Sequence, residues 1–260
     1  MAHVTDDLPL PIAVVGAGRL GTAVVAALRA AGIAVSGPKG RGYDGTGDAV
    51  VLLCVPDDAI GSAVAAVRAG PLVGHCSGVS GLDVLGAHEV FSLHPLMTVT
   101  HAGAHFEGVF AAIAGSTARA TDVATALASA IGLHPVRVAE ADRGAYHAAA
   151  AIAANFLVTL ESAAAELMST AGLDREVLVP LARAALENWG RQGPTALTGP
   201  IARGDQRTVA RHRDVVATRT PDLLPLFEAL TSATERLAAA NRDSVPGPPT
   251  APQTSESTTS

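Results

Sequence analysis

A short apolar run from Pro11 to Val15 passes without interruption into Gly16-Ala17-Gly18-Arg19-Leu20-Gly21, and then into an alanine-rich stretch that reads to Ala31. This succession constrains the chain more than any other, because β-branched residues, a glycine turn and a helical pattern predict strand, tight turn and helix in direct sequence. The three glycines have separable tasks. Gly16 permits a sharp turn, Gly18 lets the backbone approach an anion closely, and Gly21 lets helix and strand pack together. The helix start at Arg19 and Leu20 offers free N–H groups and the positive end of the helix dipole to that anion. The expected ligand is a dinucleotide pyrophosphate; a glycine turn kept for purely structural reasons is the competing reading.

The remaining composition narrows the function classes. With 260 residues the chain can form one large domain or two modest ones, and 48% hydrophobic content with only 3% aromatics points to cores of alanine, valine and leucine. A formal charge of -6 argues against a nucleic-acid partner and favours small-molecule chemistry. Cys54 and Cys76 each lie in an apolar run, in no metal-ligand spacing, and read as reduced core residues with no metal expected. The start MAHVTDDLPLP is acidic and lacks the pattern of a signal peptide. The apolar stretch Ala148 to Leu160 is broken by Asn155 and Thr159 and reads as too short to span a bilayer. A cytoplasmic protein without a membrane partner is expected.

Strands and helices alternate through the first half. Ile33 to Val35 reads as the second strand, and Ser36 stands where an NAD-preferring site carries an acidic residue for the ribose 2′-hydroxyl. Lys39 and Arg41 follow, a cation pair suited to a 2′-phosphate, so NADP(H) is the preferred cofactor and NAD(H) the lesser one; a solvated basic turn is the alternative. Asp48 to Val55 is a continuous apolar strand, and the Val55 and Pro56 backbones are expected to line the cofactor crevice. Further strands are expected at Leu72 to Cys76, Glu89 to Leu93, Val109 to Ala114 and Pro135 to Val138, with helices at Ala59 to Ala69 and Thr117 to Ile131. Ser77 and His94 fall at strand ends, where ligands bind in such sheets, though a turn serine and a strand-capping histidine are equally open. The expected fold is α/β: an N-terminal Rossmann-type doubly wound parallel sheet over residues 1–139, then an all-α domain over 140–243 and a disordered tail over 244–260.

Beyond residue 140 the pattern is helical throughout. Asp142 to Thr170 is the longest run, and on it His147, Ala151 and Asn155 share one face at i, i+4 and i+8. A core histidine and a structurally bonded asparagine compete with a catalytic reading. A helix from Arg175 to Asn188 precedes an irregular glycine- and proline-rich loop from Gly190 to Gly204, of a length that often signals function. Arg203, Asp205, Arg207, Arg211 and His212 then form a face for an anionic substrate or for solvent, and Pro221 to Asn241 is a last amphipathic helix.

In this order GAGRLG, VPDD, HCSG, SLHP, YHAAAAIAANFLVTL and ALTGPIARGD resemble a bacterial family over about residues 10–240. It comprises Rossmann-like oxidoreductases with a C-terminal helical domain of unknown function, related to ketopantoate reductase, pyrroline-5-carboxylate reductase and prephenate dehydrogenase, with 6-phosphogluconate dehydrogenase-like C-terminal helices. Ketopantoate reductases carry a lysine and two asparagines at i, i+4 and i+8 of the corresponding helix; here those positions resemble His147, Ala151 and Asn155, and no lysine follows Lys39. The resemblance implies hydride transfer between NADP(H) and a small carbonyl or imine acid, with His147 as first and His94 as second proton donor. It also implies Asn155 orienting the substrate oxygen, and Thr198, Arg203 and Asp205 holding a small anionic metabolite. A homodimer through the helical domain is expected. The alternative is an NADP-binding sensor or assembly protein without turnover.

Overall fold

The computed structural model describes residues 8–100 and 103–243; the acidic start before Leu8 and the expected disordered tail lie outside the described residues. The chain divides into two compact units at Phe156/Leu157. The first helical turns beyond residue 140, where the composition changes, thus belong with the sheet.

The first unit holds seven strands: β1 (Ile12–Val15), β2 (Val35–Lys39), β3 (Val50–Leu53), β4 (Leu72–His75), β5 (Val90–Pro95), β6 (Phe110–Gly115) and β7 (His134–Arg137), in sheet order β2-β1-β3-β4-β5-β6-β7. The first five are mutually parallel, but β6 runs antiparallel to β5, and β7 follows β6. The expected doubly wound parallel sheet is found, with one antiparallel pairing, between β5 and β6. No helix intervenes between β5 and β6, and without a crossover the returning strand must run antiparallel.

Strands β1, β3 and β4 are buried along their whole length, as continuous apolar strands covered on both faces must be. One face packs α1 (Arg19–Ala30) and α3 (Ala118–Ala130) through Val24, Leu28, Val123 and Leu127. On the other, Ile60 and Val64 of the short α2 (Ile60–Val64) meet Val15, Val51 and Leu53. Strand β2 is Val35–Lys39 rather than the expected Ile33 to Val35; as an edge strand it loses little from the missing N–H of Pro38. It also carries a bulge, since Ala13 pairs with Ser36 but Val15 with Lys39. Side chains alternate along a strand, so the extra residue brings Ser36 and Lys39 onto the face shared by Ala13 and Val15.

The long helix read from Asp142 to Thr170 is found as α4 (Arg143–Ala151), a π-helical turn (Ile152–Phe156) and α5 (Leu157–Ser169). Among the described residues Glu140–Ser169 is long and apolar enough to cross a membrane by length and composition alone, a wider stretch than the Ala148 to Leu160 run read from the sequence. The second unit continues with α6 (Val179–Gln192), α7 (Gly199–Arg203), α8 (Gln206–Arg219) and α9 (Leu224–Asp243). The expected irregular loop from Gly190 to Gly204 is therefore mostly helical. Pro194 and Pro200 sit in the first turns of a 3-10 turn (Gly193–Ala196) and of α7, where a missing N–H costs nothing.

The sheet depends on one large side chain. Phe91 on β5 is fully buried, and its ring fills the space over Gly74, where an added Cβ would lie 2.3 Å from the ring. Phe91→Ala is expected to lower stability by about 3–5 kcal/mol, read as a shift of the urea midpoint with an unchanged slope.

Candidate functional site

The turn after β1 is a cradle with one open side. Gly16 has φ +110°, and a Cβ there would lie 2.3 Å from the Cys54 carbonyl oxygen; at Gly21 it would lie 2.0 Å from the Gly16 carbonyl oxygen. At Gly18 it would meet nothing within 4 Å, which leaves the room a pyrophosphate needs. Gly18 caps α1 with no side-chain acceptor, so the first N–H groups of that helix face outward without a side-chain partner. The Cys54 and Cys76 thiols lie 3.6 Å apart beneath the turn, both buried, and the contact with Cys54, with burial adding, pushes the Cys76 thiol well above its usual range.

Gly16, Lys39, Arg41, Tyr43, Val55 and Pro56 line a single cavity of about 320 Å³ at the carboxyl edge of the sheet. The structure thus groups five of the eleven cofactor residues read from the sequence and adds Tyr43. Gly18 and Arg19 instead border a separate hollow of about 490 Å³ along α1. Leu20 packs against the core, and Ser36 is absent from the cavity wall. The Ser77 hydroxyl accepts from the Val79 and Ser80 N–H groups and so is engaged in its own turn.

A second cavity of about 570 Å³ collects His94, Met97, Tyr146, His147, Ala151 and Asn155. All three catalytic candidates from the sequence meet here. His94 Nδ1 and the Tyr146 hydroxyl are 2.8 Å apart with their rings at 89°, and the His94 and His147 rings are 6.2 Å apart. Gly78 makes room for both imidazoles, since a Cβ would lie 2.6 Å from His147 and 2.9 Å from His94. The π-helical turn contains Asn155, and turns of this kind frequently mark functional sites.

A buried cation lies behind this wall. Arg143 is 2% exposed; it donates to the Ser92 hydroxyl and lies 3.2 Å from the Glu140 carboxylate, which also accepts from the Leu82 N–H. This ties the start of α4 to β5 and to the loop after β4. Burial, with the charges of His147 and Arg143 adding, lowers the His94 pKa to about 4. His94 is thus neutral near pH 7 and holds the Tyr146 hydroxyl rather than storing a proton. His75 is also depressed, chiefly by burial; its Nδ1 accepts from the Ser77 N–H, so its Nε2 carries the proton toward the Gly81 carbonyl. Burial raises the Tyr146 phenol, against the pull of Arg143. Tyr146 and Arg143 were missed in the sequence, where the only available signal was a tyrosine directly preceding His147.

Residues 109–234, which include Tyr146, His147 and Asn155, match a domain of unknown function, DUF2520. No curated protein matches the chain. Among solved structures, the Bacteroides fragilis protein BF3122, a candidate NADP oxidoreductase, is 21% identical with a TM-score of 0.74, over 88% of this chain and 99% of its own. Protein TM1727 from Thermotoga maritima is 22% identical with a TM-score of 0.73, over 89% of this chain and 100% of its own. A reductive aminase from Aspergillus terreus, in complex with NADPH and ethyl levulinate, is 14% identical with a TM-score of 0.64, over 91% and 100%. The fold, a Rossmann-like sheet followed by helices, is shared with all three.

The matched stretch also contains the three expected substrate residues, all in the second unit. Thr198 precedes α7 with its side chain uncommitted as a cap, and Arg203 ends that helix exposed. Asp205 caps α8: its oxygens accept from the Thr208 N–H at 3.1 Å and hydroxyl at 2.7 Å, and these bonds lower its pKa. Its carboxylate is therefore committed to the fold. Among the described residues no group of three or more His, Cys, Asp or Glu could hold a metal ion.

The state of His94 is measurable through stability. Its folded pKa of about 4 lies below the ordinary 6.5, so the unfolded chain binds more protons between these values. The contribution is complete above the ordinary value and is lost as pH falls toward the folded one. The fall in urea midpoint from about pH 7 to about pH 5 should accordingly be smaller in His94→Gln than in the parent; an equal fall shows that His94 does not titrate in this way.

Proposed function

We propose that this chain is an NADP(H)-dependent oxidoreductase that transfers a hydride to or from a small carbonyl or imine acid. The observation that carries this reading is the cavity grouping Tyr146, His147 and Asn155 against His94, at the carboxyl edge of the same sheet whose first turn forms the glycine cradle. Ligands of open α/β sheets bind along that edge. The bound nicotinamide supplies or accepts the hydride. As hydride reaches the substrate carbon, negative charge grows on its oxygen or nitrogen, and His147 delivers the proton there while the Asn155 amide donates a hydrogen bond. Lys39 and Arg41 hold the 2′-phosphate. The complex of the similar reductive aminase with NADPH and a keto ester favours carbonyl and imine substrates, and ketopantoate is the first acid to assay.

A panel of 2-keto acids and cyclic imines, followed by nicotinamide absorbance with NADPH and NADH, tests the reading. Turnover is expected, with His147→Ala lowering kcat by about 100-fold or more and leaving the NADPH Kd unchanged. Binding of NADPH without turnover of any substrate would leave the sensor reading in its place, and no binding at all would remove both.

We also infer that the protein is a cytoplasmic homodimer formed through its helical unit. Leu157, Val158, Leu181, Leu186 and Trp189 are exposed, and a groove of about 610 Å³ runs between α5 and α6. Soluble monomers rarely leave such contiguous apolar surface uncovered. Charged Glu161, Arg175 and Arg183 also line the groove, which suits a protein partner better than lipid. Sedimentation equilibrium is expected to give twice the chain mass; a monomer at all concentrations, or partition into lipid vesicles, is the contrary result.

A further inference from the structure

The cavity that holds Lys39 and Arg41 has an unusual charge arrangement. Acids lie close by, yet each is already engaged: Asp44 with Thr46 and Arg68, and Asp48 with the Tyr43 hydroxyl. Neither Lys39 nor Arg41 makes an ion pair among the described residues. Two uncompensated cations at a cavity mouth leave a place for an anion of about two charges. Lys39 is the only lysine in the sequence, and its long, flexible stem would ordinarily let the ammonium wander into solvent. Here the ammonium rests 4.9 Å from the centroid of the Tyr43 ring, and that ring borders the same cavity. The bulge in β2 turns the Lys39 side chain onto this face, and Tyr43 packs there against the core beneath α2.

We propose that Tyr43 is the positioning residue that sets the coenzyme preference: its ring face holds the Lys39 ammonium where a ribose 2′-phosphate would lie, and its hydroxyl occupies Asp48. The negative face of an aromatic ring attracts a cation without neutralising it, so the ammonium stays in place and remains available to a phosphate. A carboxylate in the same position would do the first and forfeit the second. The proposal rests on the cofactor reading above and concerns only the adenosine end, so it stands apart from the identity of the substrate.

The test measures Kd for NADPH and NADH by titration, with no turnover required. Tyr43→Leu is expected to weaken NADPH by roughly 3- to 30-fold while NADH changes by less than about twofold. Tyr43→Phe, which keeps the ring, should retain most of the preference. In a Lys39→Ala background Tyr43→Leu should cost nothing further, a non-additivity that a merely structural tyrosine would not produce. Tyr43→Trp keeps the ring face should the leucine variant fail to fold, and a lost NADPH preference there overturns the proposal. Equal weakening of both coenzymes in Tyr43→Leu also overturns it, as does an unchanged ratio in that variant while Lys39→Ala loses NADPH selectively; in these cases the cofactor reading survives. If Lys39→Ala leaves the ratio unchanged, the 2′-phosphate reading itself fails and takes this proposal with it.

Discussion

The carbonyl oxygen of Cys54 leaves no space for a side chain at residue 16, and the start of the sheet is arranged around that contact. Only a glycine can take φ +110° there, and only a second glycine at residue 21 lets α1 begin against the carbonyl of the first. The Gly16 N–H donates to the Lys39 carbonyl at 2.9 Å, and the Cys54 N–H to Val15 at 2.7 Å, so the turn also fixes the ends of β2 and β3. Cradle, cation-bearing loop and the Val55-Pro56 wall are thereby set in one geometry.

Five parallel strands finish at one edge, and the polar side chains of interest are gathered there at an electrostatic cost. Arg143 is carried into the interior, which is tolerable only because Ser92 and Glu140 bond to it. Its neighbours respond in kind. His94 and His75 give up their protons mainly because of burial, with the guanidinium adding to the effect. The cavity wall thus sets the neutral rings of His94 and Tyr146 in front of one fixed positive charge.

Much of this was legible in the sequence, for identifiable reasons. The β1-turn-α1 succession and the apolar run at β3 were readable because fully buried parallel strands and glycine turns leave local patterns. Helical spacing put His147 and Asn155 on one face, and both line the same cavity although Asn155 lies within the π-helical turn. The reversal of β6 was not readable, since an extended run has no direction in its own composition. Nor was the cap at Asp205, because an acidic residue beside arginines looks equally like a ligand and like a helix start. Tyr146 and Arg143 escaped because their roles arise from contacts across 51 and 52 residues with Ser92 and His94, which no local period records. The glycine- and proline-rich stretch misled because those residues open and close short helices as readily as they form loops.

The bulge in β2 gives this edge of the sheet a discrete character. Whether residue 39 faces the hollow or the opposite layer depends on the parity of the residue count after Ser36, and every single-residue insertion or deletion in that short segment reverses it. Substitutions at the position change an interaction by degrees; a change of length acts as an all-or-none toggle. Chains of this architecture thus have a route between cation-bearing and cation-free nucleotide hollows that leaves every side chain chemically unaltered.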